Sequence, residues 1–322
     1  MPNDQWCAAQ LTHRYPMLQY LTDRTFGIEI EFFGLDFLQY PGSGSAIRPC
    51  NIQSRGKDGE PFRKLAERFR LKYGEDESAW HFETDESLKG RGGAELISPI
   101  LTGIEGLVEA YRAFQMLWQI QGVDINETCG FHVHHGVDRS QFGCRELQRL
   151  VRFIYPLEEY FYLLIPGNRQ DASTCRPMEL DLEQFLKDCS ACVPEKCSVK
   201  AAWYSAENRF DVEAAKYPRY DKTRYHGLNL HSYWFRGTVE FRYHSAVLHQ
   251  VDEAMQWIIF TQMLVEMASG YVPEIYYLPG FNKWMSTIVK IYLAFKYRDR
   301  IHWVGGRRKK DEAGSWEGRK DV

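Results

Sequence analysis

The chain has 322 residues, 44% of them hydrophobic, and 40 Lys and Arg against 43 Asp and Glu give a formal net charge of −3. This length and apolar content exclude global disorder, and the balanced charge excludes a global pull toward nucleic acid or an anionic membrane. No apolar run approaches the roughly 18 residues of a spanning helix, and MPNDQWCAAQ lacks the basic and then apolar pattern of a secretory signal, so a soluble, cytoplasmic protein is expected.

In chain order, the first strong pattern is a strand over 25–33, where FGIEIEFFG sets Glu29 and Glu31 among apolar residues. Apolar periodicity predicts a helix over 60–72, strand alternation recurs over 80–85 and 93–97, and a helix follows over 104–121. A strand over 130–135, a helix over 145–165 and short helices near 180–189 and 206–215 come next. Strands over 228–234 and 237–243 meet at WFRGTV, whose glycine suits a hairpin, and helices over 251–269 and 284–297 close the pattern.

The irregular stretches 41–60 and 166–205 read as long loops within a single domain over 1–304, and 305–322 reads as a disordered tail. The RRKK cluster in that tail is expected to be solvated rather than to bind nucleic acid. The mixed order predicts an α+β fold, with a mainly antiparallel curved sheet and helices on one face. Of the eight cysteines, Cys175, Cys189, Cys192 and Cys197 fall close together. They read either as ordinary thiols or as a structural zinc knot.

Strand alternation sends residues i and i+2 to the same face. It groups Glu29 with Glu31, His132 with His134, Glu240 with Arg242, and His81 with Glu83 and Asp85, while Glu95 opposes Ala94 and Leu96. Each pair has a plain reading: a solvated strand face, local hydrogen bonding of histidines, a Glu240–Arg242 ion pair, or an Asp85–Ser87 turn. Gathered on one sheet face, however, so many carboxylates call for divalent cations, because burying a charge without a partner costs several kcal/mol. Oxygen ligands with one or two imidazoles favour Mg²⁺ or Mn²⁺ over zinc, and Arg236 and Arg242 become candidate phosphate clamps. The phosphate loop G-x-x-x-x-G-K-[ST] is absent, so any ATP sits on a different scaffold.

In their order, FGIEIEF, DESLKGRGGAELISPIL, CGFHVHHG, RQDASTCRP, RYHGLNLHS and GTVEFRYHSAVLH resemble the putative amidoligase family, a branch of the glutamine synthetase and glutamate-cysteine ligase superfamily, over about 24–265. The resemblance implies a glutamine synthetase-like catalytic domain that uses ATP and two divalent ions to join an acid to an amine through an acyl phosphate. It implies Glu31 and Glu95 on one ion, and Glu29, His132 and Glu240 on the other. It places His134 toward the ATP phosphates and Arg242 on the transferring phosphate or the acid. Asp85 matches the aspartate of a D-x-S element, though its spacing to Glu95 departs from glutamine synthetase proper. Asn229 and Arg236 fit ATP or substrate binding.

Small-molecule or peptide acids and amines are the implied partners, with no nucleic acid or membrane; their identities and the oligomeric state stay open. A zinc hydrolase using His132, His134 and Glu240 is an alternative, and a non-catalytic nucleotide or metabolite module is another. Cys129, Trp203 and Tyr204 read as packing residues.

Overall fold

A computed structural model describes residues 4–15, 18, 21–34, 60–74, 78–85, 87–88, 92–120, 122–158, 161–162, 172–190, 198–207 and 221–270. One compact unit spans Met1–Tyr276, and a second, Tyr277–Val322, lies outside the described residues. The predicted helix over 284–297 and the tail over 305–322 fall there. Residues 41–59, expected from the sequence to form a loop, are also outside.

The strands are β1 (Thr25–Phe32), β2 (His81–Thr84), β3 (Ala94–Ile97), β4 (Leu101–Thr102), β5 (Gly130–Gly136), β6 (Leu228–Asn229) and β7 (Thr238–Ser245). The helices are α1 (Asp4–Arg14), α2 (Glu60–Arg68), α3 (Gly103–Trp118), α4 (Cys144–Ile154), α5 (Leu182–Ser190), α6 (Ser198–Glu207), α7 (His231–Arg236) and α8 (Val251–Ser269). The strands form one 7-stranded sheet in the order β2-β3-β1-β5-β7-β6, with β4 also on β1. Every named pairing in it is antiparallel.

One sheet face is apolar. Ile28, Ile30, Phe131, Val133, Val239, Phe241 and Tyr243 are buried there, each burial worth about 1.5–3 kcal/mol. The face packs on α3 through Phe114 and Phe131, with ring centroids 5.4 Å apart, and on α8 through Tyr243 and Trp257 at 6.4 Å. Arg24, just before β1, makes a two-pronged bond to the buried Glu266 of α8, at 2.9 and 3.0 Å. The start of β1 is thereby pinned against the helix layer. Among the described residues, no helix is long and apolar enough to cross a membrane.

The sequence reading is corrected in three places. The strand expected over 228–234 stops at Asn229, because the Asn229 side-chain carbonyl accepts the Ser232 N–H at 3.3 Å and the chain turns into α7. Gly237 ends that helix at φ 73°, a left-handed conformation glycine adopts without strain, so β6 and β7 are joined by a helix and not a hairpin. The helix expected over 145–165 is interrupted after Ile154 by a 3₁₀ turn at Tyr155–Leu157, where Pro156 lacks an N–H, and Glu158, Phe161 and Tyr162 beyond it are helical again. Finally, within the stretch 166–205 read as a long loop, α5 falls on the helix expected near 180–189, while α6 is a further helix that the sequence reading did not place.

Candidate functional site

Register determines which side chains meet on the other sheet face. Glu83 lies opposite Glu95, and Glu95 opposite Glu31. Glu29 lies opposite His132, and Glu240 is flanked by His134 on β5 and Asn229 on β6. Opposed residues have Cβ atoms about 4.5–5.5 Å apart, so each row brings its functional groups into contact range. Between Val133 and Phe131 the partner register runs from Phe241 to His244, which leaves one extra residue on β7 beside Arg242. A cleft of about 2260 Å³ lies over this face, lined by Glu29, Glu31, Glu95, His134, Arg236 and Arg242, among others.

The contacts are dense. His132 Nδ1 is 3.2 Å from Glu29 Oε2, and its Nε2 is 3.4 Å from Glu31 Oε1. His134 Nε2 is 3.3 Å from Glu29 and 3.6 Å from Glu240. Arg242 donates to Glu240 Oε1 at 2.6 Å, and Asn229 donates to Glu240 Oε2 at 2.5 Å. Arg236 reaches Glu29 from the rim at 3.2 Å. Asp85 accepts the Ser87 N–H at 2.8 Å, which closes a turn, and its charge is still felt at Glu95.

Charge is unevenly matched across the cleft. Burial would raise Glu29 and Glu240, but His134 and further cationic neighbours outweigh it. Glu29 falls well below the usual carboxylate range and Glu240 falls to about 2. For His134, burial favours the neutral ring, yet Glu240 and Glu29 raise its pKa. Glu95 behaves in the opposite way: burial, then Glu29, Glu31, Asp85 and Glu83, push it up to about 9. Surplus negative charge therefore collects at the β1–β3 end.

A divalent cation fits this set. Glu29, His134 and Glu240 each offer a ligand atom, all within 4.8 Å of one another. His132 Nε2 and His134 Nε2 are buried and make no hydrogen bond among the described residues. The tightest set thus contains His134, which the resemblance had directed to phosphates. His132 lies between Glu29 and Glu31, and so between the two ion positions that the resemblance implies. Cys175 and Cys189 are buried thiols, and Cys192 and Cys197 lie outside the described residues. Cys129 is also buried, its Sγ 3.6 Å from Asn126 Oδ1. Trp203 and Tyr204 are packed inside, with the Tyr204 hydroxyl 2.7 Å from His231 Nδ1.

A family model described as "Putative amidoligase enzyme" matches residues 22–265. The chain belongs to this amidoligase family. The match takes in the whole sheet and most of α8. A search of the curated proteins finds no match.

Several supports of this amidoligase site are invisible to motif reading. The Gly130 N–H donates to Glu31 Oε2 at 2.5 Å, and Thr174 supplies a carbonyl to Arg242 Nε at 3.2 Å. Thr238 Oγ1 lies 3.2 Å from His134 Nδ1 and 2.7 Å from Ser232 Oγ, which leaves Nε2 turned toward the acids. The one available signal was that Thr238 shares a strand face with Glu240.

Proposed function

We propose that the chain is an ATP-dependent carboxylate–amine ligase with a glutamine synthetase-like catalytic sheet and two divalent cations, Mg²⁺ or Mn²⁺. The observation that carries this reading is the ligand set of Glu29, His134 and Glu240 within 4.8 Å, on the face that also bears Glu31, Glu95 and Arg242. The first three residues, with His132 beside them, would hold one ion. Glu31 and Glu95, opposed across β1 and β3, would hold the other. Bound cations would neutralise the triphosphate and the charge that builds on the group in transit.

A carboxylate is a poor electrophile because its oxygen is a bad leaving group. In the proposed reaction a carboxylate oxygen attacks the γ-phosphorus of ATP, the bond to ADP breaks, and an acyl phosphate forms. The amine nitrogen then attacks the acyl carbon, phosphate departs with the bonding pair, and the surplus proton leaves with phosphate or to water. The protein contributes position and field. Arg242, anchored by Glu240 and Thr174, presents a fixed positive charge to the phosphoryl group. Arg236, 62% exposed at the rim, is placed to exchange Glu29 for a phosphate oxygen. Asn229 holds the second oxygen of Glu240. At about 2260 Å³ the cleft exceeds the roughly 300–1,000 Å³ of a single-ligand pocket, with room for nucleotide and acid together.

A zinc hydrolase is the second reading, favoured by the same His–Glu–Glu trio, which matches the three protein ligands of catalytic zinc. It leaves Glu31 and Glu95 without a task. An ADP-release screen across small-molecule and peptide acid and amine pairs, with Mg²⁺ or Mn²⁺, separates the two. ADP formation that needs both substrates and disappears in Glu29→Ala and Glu240→Ala supports the ligase. Amide hydrolysis without nucleotide would replace it with the hydrolase.

A further inference from the structure

Arg242 can grip a phosphate only if its guanidinium is held in place, and two chain segments hold it. Its backbone N–H donates to the Gly227 carbonyl at 2.7 Å, and its Nε donates to the Thr174 carbonyl at 3.2 Å. These segments run side by side. The Arg176 N–H donates to Tyr225 O at 2.7 Å, the Gly227 N–H donates to Arg176 O at 2.8 Å, and His226 Nδ1 lies 2.9 Å from Pro177 O. Position 227 admits only glycine, because a Cβ there would stand 2.1 Å from Tyr243 Cε1.

One of these supports, the segment carrying Thr174, and β7 itself, which carries Arg242, are both tied to one buried carboxylate behind the sheet, Glu158, which is 5% exposed. Its Oε1 accepts the Tyr243 hydroxyl at 2.7 Å, from the residue that follows Arg242 on β7. Its Oε2 accepts the Met178 N–H at 2.9 Å, from the segment that supplies the Thr174 carbonyl. The Tyr162 hydroxyl donates to Cys175 O at 2.9 Å, a second tie on that segment. A carboxylate has two acceptor oxygens, and here each is spent on a different chain segment.

We propose that Glu158 is a positioning residue for Arg242: by tying β7 to residues 174–178 it fixes the two elements that hold the guanidinium over the cleft. The tie stands on geometry alone, and its catalytic meaning rests on the ligase reading. Burial raises the Glu158 carboxyl to about 7, as expected for a group held by neutral donors in place of a cation.

The experiment uses the full chain and the variants Glu158→Gln, Tyr243→Phe, Arg242→Ala and the double variant Glu158→Gln/Arg242→Ala. Gln offers one acceptor oxygen where Glu offers two, and Tyr243→Phe removes a single hydroxyl, so it carries the same prediction if Glu158→Gln fails to fold. Hydrogen exchange over 172–180 reads the tie without any activity. Exchange at Met178 and its neighbours should quicken by about 10-fold in Glu158→Gln and in Tyr243→Phe. Affinity for Mn²⁺·ATP reads the coupling. Glu158→Gln should weaken it by about 3- to 10-fold with Arg242 present and by less than about 2-fold with Ala at 242. Unchanged exchange would overturn the proposal, as would equal weakening in both backgrounds, the signature of a residue that only stabilises the fold. Wild type that fails to bind Mn²⁺·ATP would sink the ligase reading instead, and the exchange rates would still decide the tie.

Discussion

His134 and His135 are consecutive residues of one strand, both buried, and they titrate in opposite directions. On the cleft side, Glu240 and Glu29 more than offset the burial of His134 and raise its pKa. On the core side, burial, and then Arg24 and His134, hold His135 well below the ordinary range, and its Nε2 lies 2.8 Å from Thr261 Oγ1. A single residue step crosses from a face crowded with acids and their cationic partners to one built mainly of apolar side chains. The sheet tolerates the carboxylates of Glu29 and Glu240 because His134 and further cationic neighbours meet them, and the carboxylates left in surplus are what would attract cations.

The largest break in that contrast is expected at Glu29. Glu29→Ala should lower ADP release by about 100- to 1,000-fold, read as the initial rate at saturating Mg²⁺·ATP. Ile30→Ala, one residue on and on the opposite face, should do the reverse. It should lose about 2–5 kcal/mol in denaturant unfolding while the rate per folded molecule is largely kept. Equal loss of rate in both variants would dissolve the distinction between the faces.

Smaller effects sharpen it. Arg236→Ala at the exposed rim should lower kcat/KM for ATP by about 10-fold and leave Mn²⁺ affinity unchanged. The smallest effect concerns Glu158, whose folded pKa of about 7 lies above the ordinary 4.5. Between those values the folded state binds more protons than the unfolded state. Its contribution to stability is therefore full below 4.5 and is lost as pH rises through about 7. Thermal midpoints measured from about pH 5 to about pH 8 should decline partly for this reason, and Glu158→Gln should flatten the decline; an unaltered slope would place the titration elsewhere.

Alternation alone separated Ile28 and Ile30 from Glu29 and Glu31, because a period of two is a local property of the extended chain. Register is not local. That Glu31 faces Glu95, and that Glu240 faces His134, follows from pairing between distant segments. For the same reason, H-x-H by itself could not say which histidine joins Glu29 and Glu240. Glu158 and Thr174 act through tertiary contacts that leave no spacing to read. The helix α7 was hidden because HSYWFR is rich in aromatic residues, which are common in strands, and only the Asn229 bond to Ser232 and the left-handed Gly237 decide otherwise. α1 and α6 combine small, polar and aromatic residues with no clean apolar stripe, so tertiary packing rather than pattern sets them.

The most direct measurement is equilibrium Mn²⁺ binding to wild type, Glu29→Ala and Ile30→Ala, followed by the loss of free-ion signal. Wild type and Ile30→Ala should bind two ions, and Glu29→Ala should lose at least one of them. Wild-type protein that binds no Mn²⁺, or a Glu29→Ala variant that binds it as wild type does, would contradict a cleft built to hold cations.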